Sequence, residues 1–305
     1  MKVFLDDLVK KSKILTVNGN VANYIPALGK ANSEDLGIAI YDHEGNFCEA
    51  GNSDKKFTIQ SVSKPLVFLL ALIDQGEEIV FSKVGMEPTG DPFNSIIRLE
   101  TFDKHKPLNP FINAGAISIV SLVKGEDNIE KIEKILSFIR LLADNDNINV
   151  DNSVFLSEKV TGDRNRSMLY FLKSIGNIEG NVEEILDLYF MQCAIKATCK
   201  DLARISLVLA HGGYDPIRKE QIIPKRATQI VNSLMATCGM YDESGEFAVK
   251  VGIPSKSGVG GGILSVVPKR YGIGVYGPAL DVKGNSIAGV RVLEALSDKY
   301  DLSIY

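Results

Sequence analysis

Cysteine is scarce in this chain. Cys48, Cys193, Cys199 and Cys238 are spread through 305 residues without zinc-type spacing, and four in so long a chain do not make a disulfide framework. Histidine is scarcer still: His43, His105 and His211 lie far apart in turn-like segments and form no ligand pair, so neither a metal nor another cofactor is expected. No long apolar run is present. The longest, Pro65 to Ile73, is too short to cross a bilayer and reads as a core helix, so no membrane partner is expected. An excess of positive charge is also missing: the formal net charge is −4, and no basic cluster alternates with aromatics, which argues against nucleic-acid binding. Low-complexity sequence is absent, and 45% hydrophobic with 24% charged residues is the composition of a globular protein with a substantial core. The stretch Met1–Asp7 has two acids where a secretory segment needs continuous apolar residues, so the expected setting is the reduced cytoplasm.

The pattern of elements changes along the chain. Gly37 to Tyr41 and Asn46 to Ala50 read as two strands of a hairpin around the turn residues Asp42–Gly45. A helix with apolar residues almost all round follows Ser61, carries Pro65 in its first turn and is expected to stop at Gly76. Helical periodicity then dominates to about residue 235, with one stripe over Ile129, Ile132, Leu136, Ile139 and Leu142 and another over Met168, Phe171, Leu172 and Ile175. After Gly239 short β-rich runs are expected over 247–251, 263–267 and 271–276, with a last helix after Asn285. These readings predict an α+β fold. A mostly antiparallel sheet, flanked by helices and built from residues 1–62 and 236–305, would face an inserted helical lobe over 63–235, with the catalytic cleft between them.

Two strings carry the chemistry. In Ser61-Val62-Ser63-Lys64 an amine follows a serine by three residues, so on a helix the two share one face, and a serine hydroxyl needs such a base to become a nucleophile. The same spacing recurs at Ser53/Lys56 and Ser121/Lys124, so spacing alone is weak. The second string, Lys256-Ser257-Gly258-Val259-Gly260-Gly261-Gly262, is similar to the Lys-Thr/Ser-Gly element that closes the opposite wall of serine acyl-transfer sites with a cation and a strand edge. Ser61 would sit at a helix N-terminus, where the dipole favours a developing oxyanion.

Phe57-Thr58-Ile59-Gln60-Ser61-Val62-Ser63-Lys64, Asn109-Pro110-Phe111-Ile112-Asn113-Ala114-Gly115-Ala116 and Thr237-Cys238-Gly239-Met240-Tyr241-Asp242, with the glycine string after them, resemble the serine-dependent glutaminases over nearly the whole length. The resemblance implies the fold of β-lactamases and penicillin-binding transpeptidases. It also implies hydrolysis of L-glutamine to L-glutamate and ammonia without metal or organic cofactor, and assembly as a homodimer or homotetramer. It carries the nucleophile onto Ser61 and its lysine onto Lys64. Substrate contacts fall on Ser61, Asn113, Glu158, Asn165, Tyr189, Tyr241 and Val259, and Tyr24 is similar to a substrate-contacting tyrosine. Lys64 would act as base with a pKa lowered by burial and by Lys256, and a tyrosine among Tyr24, Tyr189 and Tyr241 would share the proton transfers. The N–H groups of Ser61 and Val259 would hold the oxyanion, and Glu158 would meet the substrate's ammonium. Two alternatives remain open at this point: a penicillin-interacting hydrolase or transpeptidase, and a non-catalytic amino-acid sensor.

Overall fold

The computed structural model describes residues 1–96 and 106–305, so His105 lies outside the described residues. In chain order the elements are α1 (Lys2–Ser12), β1 (Gly37–Asp42), β2 (Phe47–Gly51), β3 (Phe57–Thr58), α2 (Ser63–Lys83), α3 (Asn113–Val120), α4 (Asn128–Ala143), α5 (Asn152–Thr161), α6 (Asp163–Ser174) and α7 (Val182–Cys193). They continue with β4 (Lys196–Ala197), α8 (Cys199–Ala210), β5 (Tyr214–Asp215), β6 (Glu220–Gln221), α9 (Lys225–Cys238), α10 (Ser244–Lys250), β7 (Ser255–Ser257), β8 (Gly262–Val267), β9 (Tyr271–Tyr276) and α11 (Ile287–Tyr300).

The N- and C-terminal strands share one antiparallel sheet in the order β2-β1-β9-β8-β7. Alternation along each strand sorts its two faces. Ile38, Ile40, Ile263, Ile273 and Val275 pack with Leu5, Leu8 and Val9 of α1 and Val292, Leu293 and Leu296 of α11. The opposite face receives α8, and there the sheet needs small residues. A side chain at Gly272 would come within 2.1 Å of the Ala203 carbonyl, and one at Gly274 within 2.1 Å of the Cys199 carbonyl. This close approach lets the buried helix α8 link the sheet to the core shared by α2, α3, α4, α6 and α7. Helix starts are fixed by local acceptors: Asp127, Asp151 and Asn181 cap α4, α5 and α7, and Thr198 with Asp201 forms a capping box on α8.

Several sequence expectations are corrected here. Residues 247–251 are not a strand, because Phe247 and Val251, one helical turn apart, are buried together while Val249 is 89% exposed; this places them on α10 and its C-cap. Their β-branched valines mimic strand composition, but the burial period is that of a helix. The apolar stripe of α4 passes through Ile135 rather than Ile129, which is exposed in the first turn. The expected stop at Gly76 is present, with a non-helical φ of 81°; what the sequence reading lacked is the second helical segment that follows it to Lys83. The middle segment also contains short strands: β4 pairs with β3, and β5 with β6. Each is two residues long, too short to display a period. No helix among the described residues is long and apolar enough to cross a membrane.

Candidate active site

Ser61 lies in a 3-10 turn, Gln60–Val62, that runs directly into α2. The turn is anchored by Ile59 N–H donating to the Ile195 carbonyl at 2.8 Å, which fixes it beside β4. Gln60 has φ 48°, a left-handed conformation that costs a residue with a side chain about 1 to 3 kcal/mol. The glycine string supplies the facing wall. A side chain at Gly258 would lie 2.5 Å from the Ile59 carbonyl and 3.3 Å from the Ser61 nitrogen, so a glycine is required for this loop to approach the serine turn. Gly258 N–H bonds the Gly262 carbonyl and Gly261 N–H bonds the Gly258 carbonyl, which folds Val259 over Ser61.

A cavity of about 190 Å³ opens against Ser61, lined also by Tyr24, Asn113, Glu158, Asn165, Tyr189 and Val259. Lys64 is wholly buried in the first turn of α2 and donates to the Phe111 carbonyl at 2.9 Å and to Asn113 Oδ1 at 2.8 Å. Burial lowers its pKa to about 8, against smaller raising effects of Cys193 and Glu158. Asn113 passes the contact onward through Nδ2, which donates to Asn165 Oδ1 at 3.0 Å. The two asparagines and the lysine therefore form one chain from the base to the cavity wall.

Tyr241 is buried, with φ 56°, and its hydroxyl faces the Ser61 hydroxyl and the Val259 N–H without a hydrogen bond of full geometry. Desolvation raises its pKa, and those two polar groups oppose the rise. The Lys256 amine lies 4.4 Å from the Tyr241 ring centroid and donates to the Ser257 carbonyl at 2.6 Å. Burial first, and Lys64 second, push Lys256 well below the ordinary lysine range. For both amines burial is the leading cause of the lowered pKa, and their proximity disfavours two simultaneous cations.

At the far end of the cavity Glu158 is 7% exposed, and its Oε2 has no hydrogen-bond partner. Desolvation raises its pKa to about 8, opposed by the Gln60 side chain and by Lys64. Tyr189 is buried beside it; desolvation raises its hydroxyl, which meets the Cys193 thiol one turn along α7. Tyr24 is 56% exposed at the mouth, and its pKa is raised by desolvation, then by Tyr241 and Glu158. Gln60, Cys193 and Phe93 also line the cavity and escaped the sequence reading. Phe93 stacks at 4.7 Å on the Tyr241 ring, and its carbonyl accepts from Asn113 N–H at 2.8 Å. Two of the three had a signal: Gln60 precedes Ser61, and Cys193 is one turn from Tyr189. Among the described residues no group of three or more His, Cys, Asp or Glu side chains is placed to hold a metal ion.

The architecture is the α+β fold of β-lactamases and transpeptidases, with a mostly antiparallel sheet flanked by helices. The glutaminase family model matches residues 19–305. A glutaminase of Clostridioides difficile is 57% identical over 304 residues, 100% of this chain and 98% of the relative. One of Bacillus cereus is 56% identical over 301 residues, 99% and 97% respectively. The solved covalent complex of a Bacillus subtilis glutaminase with 5-oxo-L-norleucine, formed from 6-diazo-5-oxo-L-norleucine, superposes with a TM-score of 0.92 at 41% identity, covering 100% of this chain and 99% of that one. The chain belongs to the glutaminase family. It is an enzyme that hydrolyses glutamine, which sets aside both the penicillin-interacting and the non-catalytic readings.

Proposed function

We propose that this chain converts L-glutamine to L-glutamate and ammonia through an acyl-enzyme on Ser61, with Lys64 as the base. The observation that carries this reading is the environment of Lys64: a buried amine with a pKa near 8 whose two donated hydrogen bonds, to Phe111 and Asn113, leave a neutral amine one lone pair. That lone pair takes the Ser61 proton as Oγ attacks the side-chain amide carbon. The N–H groups of Ser61 and Val259 receive the oxyanion, each contributing about 3 to 4 kcal/mol to the transition state. The Tyr241 hydroxyl, facing both Ser61 and Val259 and with the Lys256 amine 4.4 Å from its ring centroid, delivers a proton to the leaving nitrogen. Ammonia departs, water attacks the ester with the same groups in reverse roles, and glutamate is released. The covalent complex formed by the Bacillus subtilis relative supports a nucleophile in such a site.

The substrate's α-ammonium goes to Glu158, whose unpartnered Oε2 gains there the charge it lacks. Asn113, Asn165 and Tyr189 take the α-carboxylate end, and Tyr24 covers the mouth. Residues 1–62 and 236–305 act as one lobe and 63–235 as the other, with the cavity between them. A cytoplasmic setting and assembly as a homodimer or homotetramer belong to the same proposal, and exposed Leu156, Val160 and Tyr170 offer apolar surface for assembly. A monomer mass by sedimentation would remove the assembly. For the reaction itself the test is ammonia release beside calorimetric binding: Ser61→Ala should lose turnover by about 10⁴-fold or more while still binding L-glutamine. Undiminished ammonia release from that variant would exclude Ser61 as nucleophile.

A further inference from the structure

Ser63, the second serine of the Ser-Val-Ser-Lys string, is wholly buried, and its hydroxyl joins separate parts of the cavity wall. It donates to the Gln60 carbonyl at 2.7 Å, accepts from Gln192 Nε2 at 3.3 Å and faces the Cys193 thiol. From these partners two routes lead to the far end of the cavity. Through Gln60 the route reaches Glu158, because the buried Gln60 carboxamide, whose Nε2 lies 3.5 Å from Thr58 Oγ1, lines the same cavity as that carboxyl and favours its charged form. Through Cys193 it reaches the Tyr189 hydroxyl. The amine of Lys64 is held separately, by Phe111 and Asn113.

The bond to the Gln60 carbonyl matters because Gln60 is left-handed, with φ 48°. A glutamine gains nothing intrinsic from that conformation and would relax toward a negative φ unless its neighbours fix it. Ser63 supplies a local restraint three residues ahead, of the kind serine side chains form at helix starts. Relaxation would swing the Gln60 side chain away from Glu158 and leave a desolvated carboxyl without the donor that keeps it ready for a cation.

We propose that Ser63 is a positioning residue for substrate selection: by holding the left-handed Gln60 it aims the Gln60 carboxamide at Glu158 and so sets the group that recognises the substrate's α-ammonium. This rests on the reading of Glu158 as the ammonium partner. The experiment compares kcat and KM for L-glutamine and for 4-carbamoylbutanoate, the same molecule without its α-amino group. In Ser63→Ala the preference for glutamine, as a ratio of kcat/KM values, should fall about tenfold, through a higher KM for glutamine with kcat kept within about threefold. Ser63→Thr, which keeps the hydroxyl, should restore the preference to within about threefold, a rescue that loss of general packing would not give. Gln60→Met should reproduce the loss and decides the matter if Ser63→Ala does not fold. A preference unchanged in Ser63→Ala or Gln60→Met, or a fall in kcat at unchanged KM, would overturn the proposal. Glu158→Gln, measured alongside, separates the two readings. If it keeps full discrimination, the role of Glu158 fails; if it loses discrimination while Ser63→Ala keeps it, the role of Ser63 alone fails.

Discussion

Among the described residues, two sets of buried ionisable side chains are treated in opposite ways. Asp215 is met by the Arg204 guanidinium and by the N–H groups of Ile217 and Arg218 at 2.9 and 3.1 Å, so its charge is answered within the protein. Around the cavity, Lys64 donates to a carbonyl and an amide oxygen, Lys256 donates to a carbonyl, and an oxygen of Glu158 has no partner. None of those partners carries a full charge. A buried ionisable group left this way lowers stability, and the fold accepts that loss where a substrate or a moving proton completes the set. The difference separates a charge that holds the structure from charges reserved for chemistry.

The sharpest way to break this comparison is to remove the reserved amine. Lys64→Met should reduce kcat/KM by about 10³-fold, within the range of general-base contributions, while leaving the fold intact. Wild-type kcat, read in the complex where Glu158 is already paired with the substrate's ammonium, should rise as pH increases through about 8, because the proton must leave Lys64 before it can accept one from Ser61. A pH–rate profile in which Lys64→Met keeps the wild-type rise would contradict the assignment. Asp215→Asn probes the structural pair. It leaves the Arg204 charge without its partner and should cost about 3 to 5 kcal/mol in denaturant unfolding, with kcat and KM unchanged. A comparable loss of activity in the folded variant would erase the distinction between the two groups.

The smallest expected effect is the most diagnostic in sign. Glu158→Gln should raise KM for glutamine about 10²-fold and yet raise the thermal midpoint at pH 8 by about 2 to 6 °C, since it removes a poorly partnered buried carboxyl. The sign follows from linkage: the folded carboxyl titrates near 8 instead of its ordinary 4.5, so the folded state binds more protons across that interval. Stability of the wild type therefore falls as pH rises from about 4.5 through about 8, and Glu158→Gln should flatten this contribution. Calorimetric scans across that interval check it, and a steeper slope in the variant would refute the desolvation argument.

The parts of the site legible in the sequence are those whose partners are close along the chain. Ser61 and Lys64 share one turn, and the glycines from 258 to 262 announce a backbone that approaches something closely. Asn113, Glu158 and Asn165 could be named by family resemblance, but the bond of Asn113 to Lys64, 49 residues away in sequence, and to Asn165, 52 residues away, is a product of packing α3 against α2 and α6. The left-handed backbone of Gln60 has no compositional mark, because glutamine is not a turn residue; it is imposed by Ser63 and the neighbouring glycine loop. The sheet was readable from β-rich runs bounded by turn residues in β1, β8 and β9, whereas α10 was not. Seven residues with two burial points, Phe247 and the capping Val251, give composition more weight than period.

The central claim, that Ser61 carries the acyl group, is tested most directly by quenching the enzyme in acid during turnover of L-glutamine and locating the adduct by peptide mass spectrometry. A γ-glutamyl ester on Ser61, absent from Ser61→Ala, is the result expected. An adduct on another residue, such as the neighbouring Cys193 thiol, would contradict the account.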